Sequence, residues 1–199
     1  KKVLETVCHN CGKIKALDNE ERRSALRVRD PKSRFEQIWR LSKPRLICEP
    51  SPAQDDDALK APKLPDHGGC GNSQPSIRKR GLNLVAKYKK SKSEDDEDRG
   101  EGEEIRIYAR KALQILNLLT DETLEMMGLN KTYARPDWFI LQALPVPPPA
   151  VRPSVDPTGS GTGSRNEDDL TFKLTDIIRA NQSVMRCDVD GTAEHIRNQ

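Results

Sequence analysis

Residues 8–12 read Cys8-His9-Asn10-Cys11-Gly12, and this turn is the stretch on which the fold depends. Two cysteines separated by two residues can direct both sulfurs at one ion, and a following glycine tolerates a left-handed backbone. The spacing therefore predicts a zinc knuckle. Because a structural zinc ion takes four nitrogen or sulfur ligands, two further ligands are expected elsewhere in the chain.

The remaining ligands must come from farther along the sequence. Cys70 lies in a comparable glycine-rich turn, Gly68-Gly69-Cys70-Gly71, and Cys48 is the natural fourth ligand. A closed shell of four cysteines leaves no open position for chemistry, which makes the predicted site structural. Spacing alone leaves His67 and His9 open as alternatives to Cys48, because the ligand groups are farther apart than in common zinc ribbons.

A redox role for the Cys8 and Cys11 pair is the main rival interpretation. No βαβ pattern surrounds the motif, which disfavours a thioredoxin-like pair. No apolar leader follows the basic start of the sequence, so we expect reduced thiols rather than a disulfide framework. Cys187 has no partner of its own and is expected to be a small, partly buried apolar residue.

The composition is poor for a self-sufficient core. Leu, Ile, Val and Phe account for 42 of the 199 residues, close to the level below which chains tend toward disorder. Structural zinc can contribute on the order of 10 kcal/mol of folding free energy, so a metal-stabilised fold agrees with this composition. No stretch of about 18 apolar residues is present, which predicts no membrane span.

The charges are segregated although the formal net charge is only +3. Arg78–Lys92 contains seven basic residues and no acid, whereas Glu94–Glu104 contains eight acids and one arginine. Like charges in a run repel, so we expect solvated segments. We find no phosphate-binding loop, dinucleotide fingerprint, serine elbow or His-Glu-x-x-His motif, and therefore predict no catalytic residues in this chain.

Helix-capping residues, prolines and glycines predict the secondary-structure elements of the first half of the chain. Helices are expected to begin at Asp18 and at Asp30-Pro31, since Asp is a favoured N-cap and Pro is tolerated at the first helical position. Pro44–Gly71 contains five prolines and reads as loop. Pro75–Tyr88 is expected to form a hairpin with Gly81 near its turn.

In the second half we expect a helix over Ile105–Leu119, a turn or helix from Asp121 to Met127, and a buried strand over Trp138–Leu144. Thr120 should cap the short element. A proline-rich segment, Pro145–Pro157, is expected to be extended.

The last predicted element is a helix that begins at Asp168 and Asp169, where the helix dipole favours negative charge. Its apolar residues fall on one narrow face that approximates the a/d seam of a coiled coil, so half of an antiparallel coiled coil is plausible. The residues of this face are Leu170, Leu174, Ile177, Ile178, Val184 and Met185.

Several motifs follow one another along the chain: Cys8-His9-Asn10-Cys11-Gly12-Lys13, Phe35-Glu36-Gln37-Ile38-Trp39, Cys48-Glu49, Gly68-Gly69-Cys70-Gly71-Asn72-Ser73-Gln74-Pro75-Ser76-Ile77-Arg78-Lys79, Arg135-Pro136-Asp137-Trp138, Leu144-Pro145-Val146-Pro147-Pro148-Pro149, Val151-Arg152-Pro153-Ser154 and Asp168-Asp169-Leu170-Thr171-Phe172-Lys173-Leu174. In this order they closely resemble the clamp region of the largest subunit of eukaryotic RNA polymerase II, and the sequence of these motifs resembles that of fungal members. The resemblance covers nearly the whole chain.

The resemblance implies a ligand set and a named loop. Cys8, Cys11, Cys48 and Cys70 match the family's second clamp zinc site and would hold a structural Zn²⁺. Val151–Thr171 matches the lid, the loop that helps part nascent RNA from template DNA. In this loop Arg152 and Arg165 are our candidates for contacts with nucleic-acid phosphates.

Residues and resemblance together predict an α+β fold: a zinc-stabilised clamp segment with short helices, a small hairpin, long loops and one half of a helical coiled coil. The expected regions are a zinc-binding clamp head at 1–90, an acidic disordered linker at 91–104, a helical clamp core with one strand at 105–150, the lid at 151–171, and the truncated first helix of the clamp coiled coil at 170–199.

The function implied is that of a fragment of DNA-directed RNA polymerase, a nucleotidyltransferase of the nucleus. The segment would help hold DNA without being catalytic itself, since the Mg²⁺ of the parent active site lies outside it. Expected partners are the other polymerase subunits, template DNA, nascent RNA, and initiation and elongation factors at the coiled coil. The alternative is a stand-alone zinc-binding adaptor for nucleic acid or protein.

Overall fold

A computed structural model of the chain describes residues 1–50, 68–89, 103–157, 159, 165–193 and 196. The chain divides into two compact units, Lys1–Leu141 and Gln142–Gln199. Helices and a small antiparallel sheet are both present, which confirms the α+β class. No helix in the described ranges is long and apolar enough to cross a membrane.

The helices of the first unit are short. Within its described residues they are α1 (Lys2–Thr6), α2 (Glu20–Leu26), α3 (Pro31–Ser42), α4 (Ala109–Asn117), α5 (Asp121–Met126) and a 3₁₀ helix (Pro136–Phe139).

Side-chain caps define where these helices begin. The Asp30 side chain accepts a hydrogen bond from the Ser33 amide at 2.8 Å, so α3 starts where the sequence predicted. Thr120 caps α5, also as predicted. The start of α2 was predicted one residue too early, because Asn19 and not Asp18 accepts the capping bond, from Arg22 at 2.9 Å.

The sheet has three antiparallel strands in the order β1 (Ser76–Arg80), β2 (Asn83–Lys87) and β3 (Glu104–Ile107). The predicted hairpin is confirmed as β1 and β2. The helix expected from Ile105 was wrong at its start, because residues 104–107 pair with β2 and α4 begins at Ala109. Glu104, expected to close the acidic linker, therefore opens β3.

The buried strand expected over Trp138–Leu144 was also wrong. Pro136 opens a 3₁₀ helix, and the apolar residues after it do not pair with another strand. The side chains of Trp138 and Phe139 are 54% and 78% exposed. A short apolar run cannot by itself distinguish a buried strand from an exposed turn.

The core of the first unit lies where α1 contacts α3, α4 and β1, and where α3 contacts α2. The indole Nε1 of Trp39 donates a 2.8 Å hydrogen bond to buried Glu5, and the ammonium groups of Lys2 and Lys43 lie over its ring. The buried apolar residues of this core are Leu4, Val7, Ile14, Ala16, Ala25, Ile38, Ile77, Ile115, Leu116, Leu119, Leu124 and Met127.

The second unit contains the proline-rich segment and helix α6 (Asp169–Val189). Asp168 caps α6 by accepting a hydrogen bond from the Leu170 amide at 2.9 Å, which confirms the predicted start. No residue of α6 is buried, and Ile177 and Ile178 are 51% and 57% exposed. The predicted coiled coil remains a prediction.

Several expectations concern residues outside the described ranges. They include residues 51–67 of the expected loop, with His67 among them, residues 91–102 of the expected linker, and residues 158 and 160–164 of the expected lid.

We predict that Ile38→Ala lowers the free energy of unfolding by about 2–5 kcal/mol, since it removes a fully buried side chain that the helices enclose. Leu82→Ala is the matched control, because Leu82 is 97% exposed at the hairpin turn. Denaturant unfolding of both variants tests this. Equal stability of the two variants would show that the core is not where the structure places it.

Candidate metal centre

The four predicted cysteines meet in one cluster. The sulfurs of Cys8, Cys11, Cys48 and Cys70 all lie within 4.8 Å of one another. The Cys8 and Cys70 sulfurs are 3.5 Å apart, and those of Cys11 and Cys48 are 3.7 Å apart. Four sulfurs at about 2.3 Å from a tetrahedral zinc ion are separated by about 3.8 Å, so the cluster fits such an ion.

The first pair of cysteines lies on a small hairpin loop. Val7 and Ile14 form an antiparallel bridge, and the Cys8 amide donates to the Lys13 carbonyl at 2.8 Å. Gly12 follows the second cysteine with φ +75°, and a Cβ there would lie 2.5 Å from the Leu118 carbonyl oxygen. Glycine is therefore required both by the backbone conformation and by the close approach of the end of α4.

The second pair of cysteines lies on two segments that pair with each other. The Cys48 amide donates to the Asn72 carbonyl at 3.0 Å, and the Gly71 amide donates to the Cys48 carbonyl at 2.8 Å. A Cβ on Gly69 would lie 2.2 Å from the Glu49 carbonyl oxygen and 2.7 Å from the Cys48 sulfur. The backbone can therefore close around the sulfurs only if residue 69 has no side chain.

Gln74 joins the two halves of the cluster and was not singled out as a site residue by the sequence. Its side-chain oxygen accepts from the His9 amide at 2.8 Å, and its Nε2 donates to the Asn10 side chain at 3.2 Å. The residue is only 2% exposed. Its place in the motif that continues from Cys70 to Pro75 is the one signal that could have indicated it.

Hydrogen bonds and burial set different proton affinities for the thiols. Burial raises the pKa of Cys8 to about 11 and raises that of Cys48 further. At Cys70 slight burial is outweighed by hydrogen bonds from the Asn72 amide and side chain, which lower the pKa to about 7. Because the buried thiols hold their protons at neutral pH, metal binding must displace them and should weaken as pH falls.

A buried lysine lies in the electrostatic field of the cluster. Lys15 is 2% exposed, and its Nζ donates to the Arg45 carbonyl at 3.1 Å. Burial lowers its pKa, whereas Glu5 favours its charged form, and so would Cys8 and Cys48 once they are deprotonated. A metal ion with four thiolates carries net negative charge, so a nearby ammonium compensates part of that charge.

Among the described residues, no other candidate ligand joins the four sulfurs. The His9 ring faces away, with its Nε2 at 2.9 Å from the Leu4 carbonyl oxygen. His67 lies outside the described ranges. Cys187 is partly buried on α6 and has a free thiol. Four sulfurs within metal-binding distance also favour a metal site over the rival redox pair.

Both arginines singled out in the expected lid contact the protein itself. Arg152 donates to the Pro147 carbonyl at 2.9 Å and to the Thr171 hydroxyl at 3.4 Å. Arg165 donates to the Ser154 hydroxyl at 2.9 Å and to its carbonyl at 3.2 Å. Both arginines belong to the second unit.

The sequence of the whole chain also matches a known family. The family model described as RNA polymerase Rpb1, domain 1, matches residues 1–199. The chain belongs to this family. Rpb1 is the largest subunit of DNA-directed RNA polymerase, a nucleotidyltransferase, and the partners implied are the other polymerase subunits, DNA and RNA. Within the Rpb1 chain, a closed four-cysteine site is suited to a structural task.

We predict that the purified protein carries one zinc ion per chain and that Cys48→Ser abolishes this stoichiometry. Cys187→Ser is the matched control, because Cys187 lies outside the cluster. Elemental analysis of both variants measures the ratio, and Cys70→Ser repeats the test at an exposed ligand. A full zinc content in both the Cys48→Ser and the Cys70→Ser variant would refute the assignment of the ligands.

We also predict that Gly69→Ala lowers metal affinity and destabilises the protein by on the order of 2 kcal/mol, since the new methyl group overlaps the Glu49 backbone and the Cys48 sulfur. The control is Gly71→Ala, where a Cβ meets nothing within 4 Å and only the positive φ is strained. Competition with a chromophoric chelator gives the affinity. If both variants bind zinc equally well, the close approach at residue 69 is unimportant.

Proposed function

We propose that this chain is the clamp and lid segment of the largest subunit of RNA polymerase II, and that it acts in the nucleus. The observation that carries the proposal is the match to Rpb1 domain 1 over residues 1–199, which spans both the cysteine cluster and the proline-rich segment. The same match favours a polymerase subunit over the stand-alone adaptor.

Zn²⁺ is the metal that we propose for the cluster. Four cysteine thiolates at tetrahedral spacing form a soft, closed ligand set that suits zinc and leaves no position for a substrate. Bound there, the ion would cross-link the turn at Cys8 to the segments around Cys48 and Cys70. We infer that its contribution is to hold the clamp head rigid.

The proposed lid, residues 151–171, is tied together at its base. Val155 and Asn166 exchange backbone hydrogen bonds of 2.9 and 2.8 Å, and Arg152 reaches the Thr171 hydroxyl from the other side of the loop. A loop with joined ends can be presented to two nucleic-acid strands from a fixed base. This arrangement supports a role in parting nascent RNA from template DNA.

The proposed coiled-coil helix is α6. Its apolar residues Ile177 and Ile178 are more than half exposed, which is the pattern of a helix whose partner lies elsewhere in the subunit. We propose that a second helix of the same subunit covers this face and that the pair receives initiation and elongation factors. The chain would thus contribute positioning, while the parent active site supplies the magnesium-dependent chemistry.

We predict that Arg165→Ala in the reconstituted polymerase slows displacement of RNA from the hybrid and lowers the salt dependence of this step. One lost phosphate contact on a single strand reduces the slope against log salt by about 0.7. Arg179→Ala, which removes an exposed charge from α6, is the control. Fluorescence of a base analogue at the upstream edge of the hybrid reports the displacement.

Arg152 needs a different comparison because its guanidinium also holds the base of the lid. Thr171→Val removes one hydrogen-bond partner of Arg152 and keeps the positive charge of Arg152. Arg152→Ala removes the hydrogen bonds and the charge together. A phosphate contact predicts that only Arg152→Ala changes the salt slope. An unchanged slope in both arginine variants would refute the nucleic-acid contacts.

A further inference from the structure

The three-stranded sheet has one buried and one exposed face. Strand register places Ile77 beside Ala86, and both are buried against the first unit. On the opposite face Arg78 lies beside Val85, and Val85 lies beside Arg106. Side chains alternate between faces along a strand, so Arg80 and Lys87 share the face of Arg78 and Arg106. We call this the outer face.

The outer face carries four cations and one carboxylate. Glu104 accepts from Arg80 at 2.8 Å and lies 3.7 Å from the Lys87 ammonium, so it serves two of the four cations. The guanidinium of Arg106 stacks over the Tyr108 ring at 4.9 Å. Arg78 is exposed, and no described residue pairs with it. Among the described residues, this face therefore carries three more positive than negative charges.

Folding alone does not explain this arrangement. Arg78 and Arg106 are separated by one intervening strand, and their backbones are therefore about 10 Å apart. This distance is close to the screening length at physiological salt, so the two charges still repel each other. A surface that serves only solubility would intersperse both signs. The excess of arginine among the described residues fits a ligand of opposite charge.

The chemistry of the face indicates what that ligand is. Arginine presents a planar fork of donors that matches a phosphate, and here four cations surround a small apolar centre at Val85. The four cations share one face of a sheet, so an extended polyanion can contact all of them at once. Nucleic acid presents such a regular row of charges.

We propose that the outer face of the sheet binds the phosphate backbone of nucleic acid through Arg78 and Arg106, with Arg80 and Lys87 as flanking contacts. Contacts of this kind position a strand without reading its sequence. The surface belongs to β1, β2 and β3 and shares no residue with the lid, so the proposal adds a specific nucleic-acid surface and does not depend on the roles of Arg152 and Arg165.

The test is direct binding of the full, zinc-loaded chain to a fluorescent oligonucleotide, measured by anisotropy over a range of salt concentrations. We expect the double variant Arg78→Ala/Arg106→Ala to bind about tenfold or more weakly near physiological salt. Its slope of log affinity against log salt should fall by about 1.4 for a single strand or about 1.8 for duplex DNA. Separate single-strand and duplex probes distinguish these cases.

Two controls separate a specific face from net charge. Arg27→Ala/Lys32→Ala removes the same charge from exposed positions on the helical side and should leave the slope unchanged. Arg78→Lys/Arg106→Lys should keep most of the slope. Unchanged zinc content and melting temperature of the double alanine variant show that the fold is intact.

Three results would overturn the proposal: no salt-dependent binding by the wild-type chain, an equal loss of slope in the helical control, or an unchanged slope in the Arg78 and Arg106 variant. If the Arg78→Ala/Arg106→Ala variant lost binding to polyglutamate but still bound the oligonucleotide, the face would be assigned to an acidic protein instead. Because the assay contains no polymerase and leaves Arg152 and Arg165 intact, its failure is distinguishable from failure of the lid proposal.

Discussion

Closure of four cysteine sulfurs around one centre is the constraint on which the first unit depends. The sulfurs of Cys8, Cys11, Cys48 and Cys70 bring together three segments separated by long stretches of sequence. Closing such loops costs conformational entropy, and the small apolar content of the chain cannot easily offset it. A metal ion that binds only the folded state would supply the missing free energy. It would also fix the positions of α1, the cysteine turns and β1 relative to one another.

Local signals in the sequence predicted local structure well. Asp30-Pro31 and Thr120 specified helix starts because a cap needs only neighbouring amides, and the cysteine spacing specified the first knuckle for the same reason. Strand β3 was missed because it forms only by pairing with β2. The 3₁₀ helix at Pro136 was missed because the strand expected there has no partner strand among the described residues. Gln74 was missed since its role arises only once His9 and Asn10 are adjacent to it.

The same distinction applies to function. The family assignment rests on the sequence of the whole chain, whereas the structure adds geometry that no motif carries. It ties the base of the proposed lid, leaves the apolar face of α6 exposed, and places Arg78, with which no described residue pairs, on the outer face of the sheet. In this account the chain contributes rigid surfaces for nucleic acid and for neighbouring protein, and the polymerase active site contributes the chemistry.

Hydrogen exchange of the intact protein before and after removal of metal by a chelator is the most direct test of the central claim. The account predicts that protection is lost together in the turn at residues 8–12, in residues 46–50 and 69–74, and in β1, while the capped helix α6 exchanges as before. Unchanged protection in the three cysteine segments after complete metal removal would contradict it.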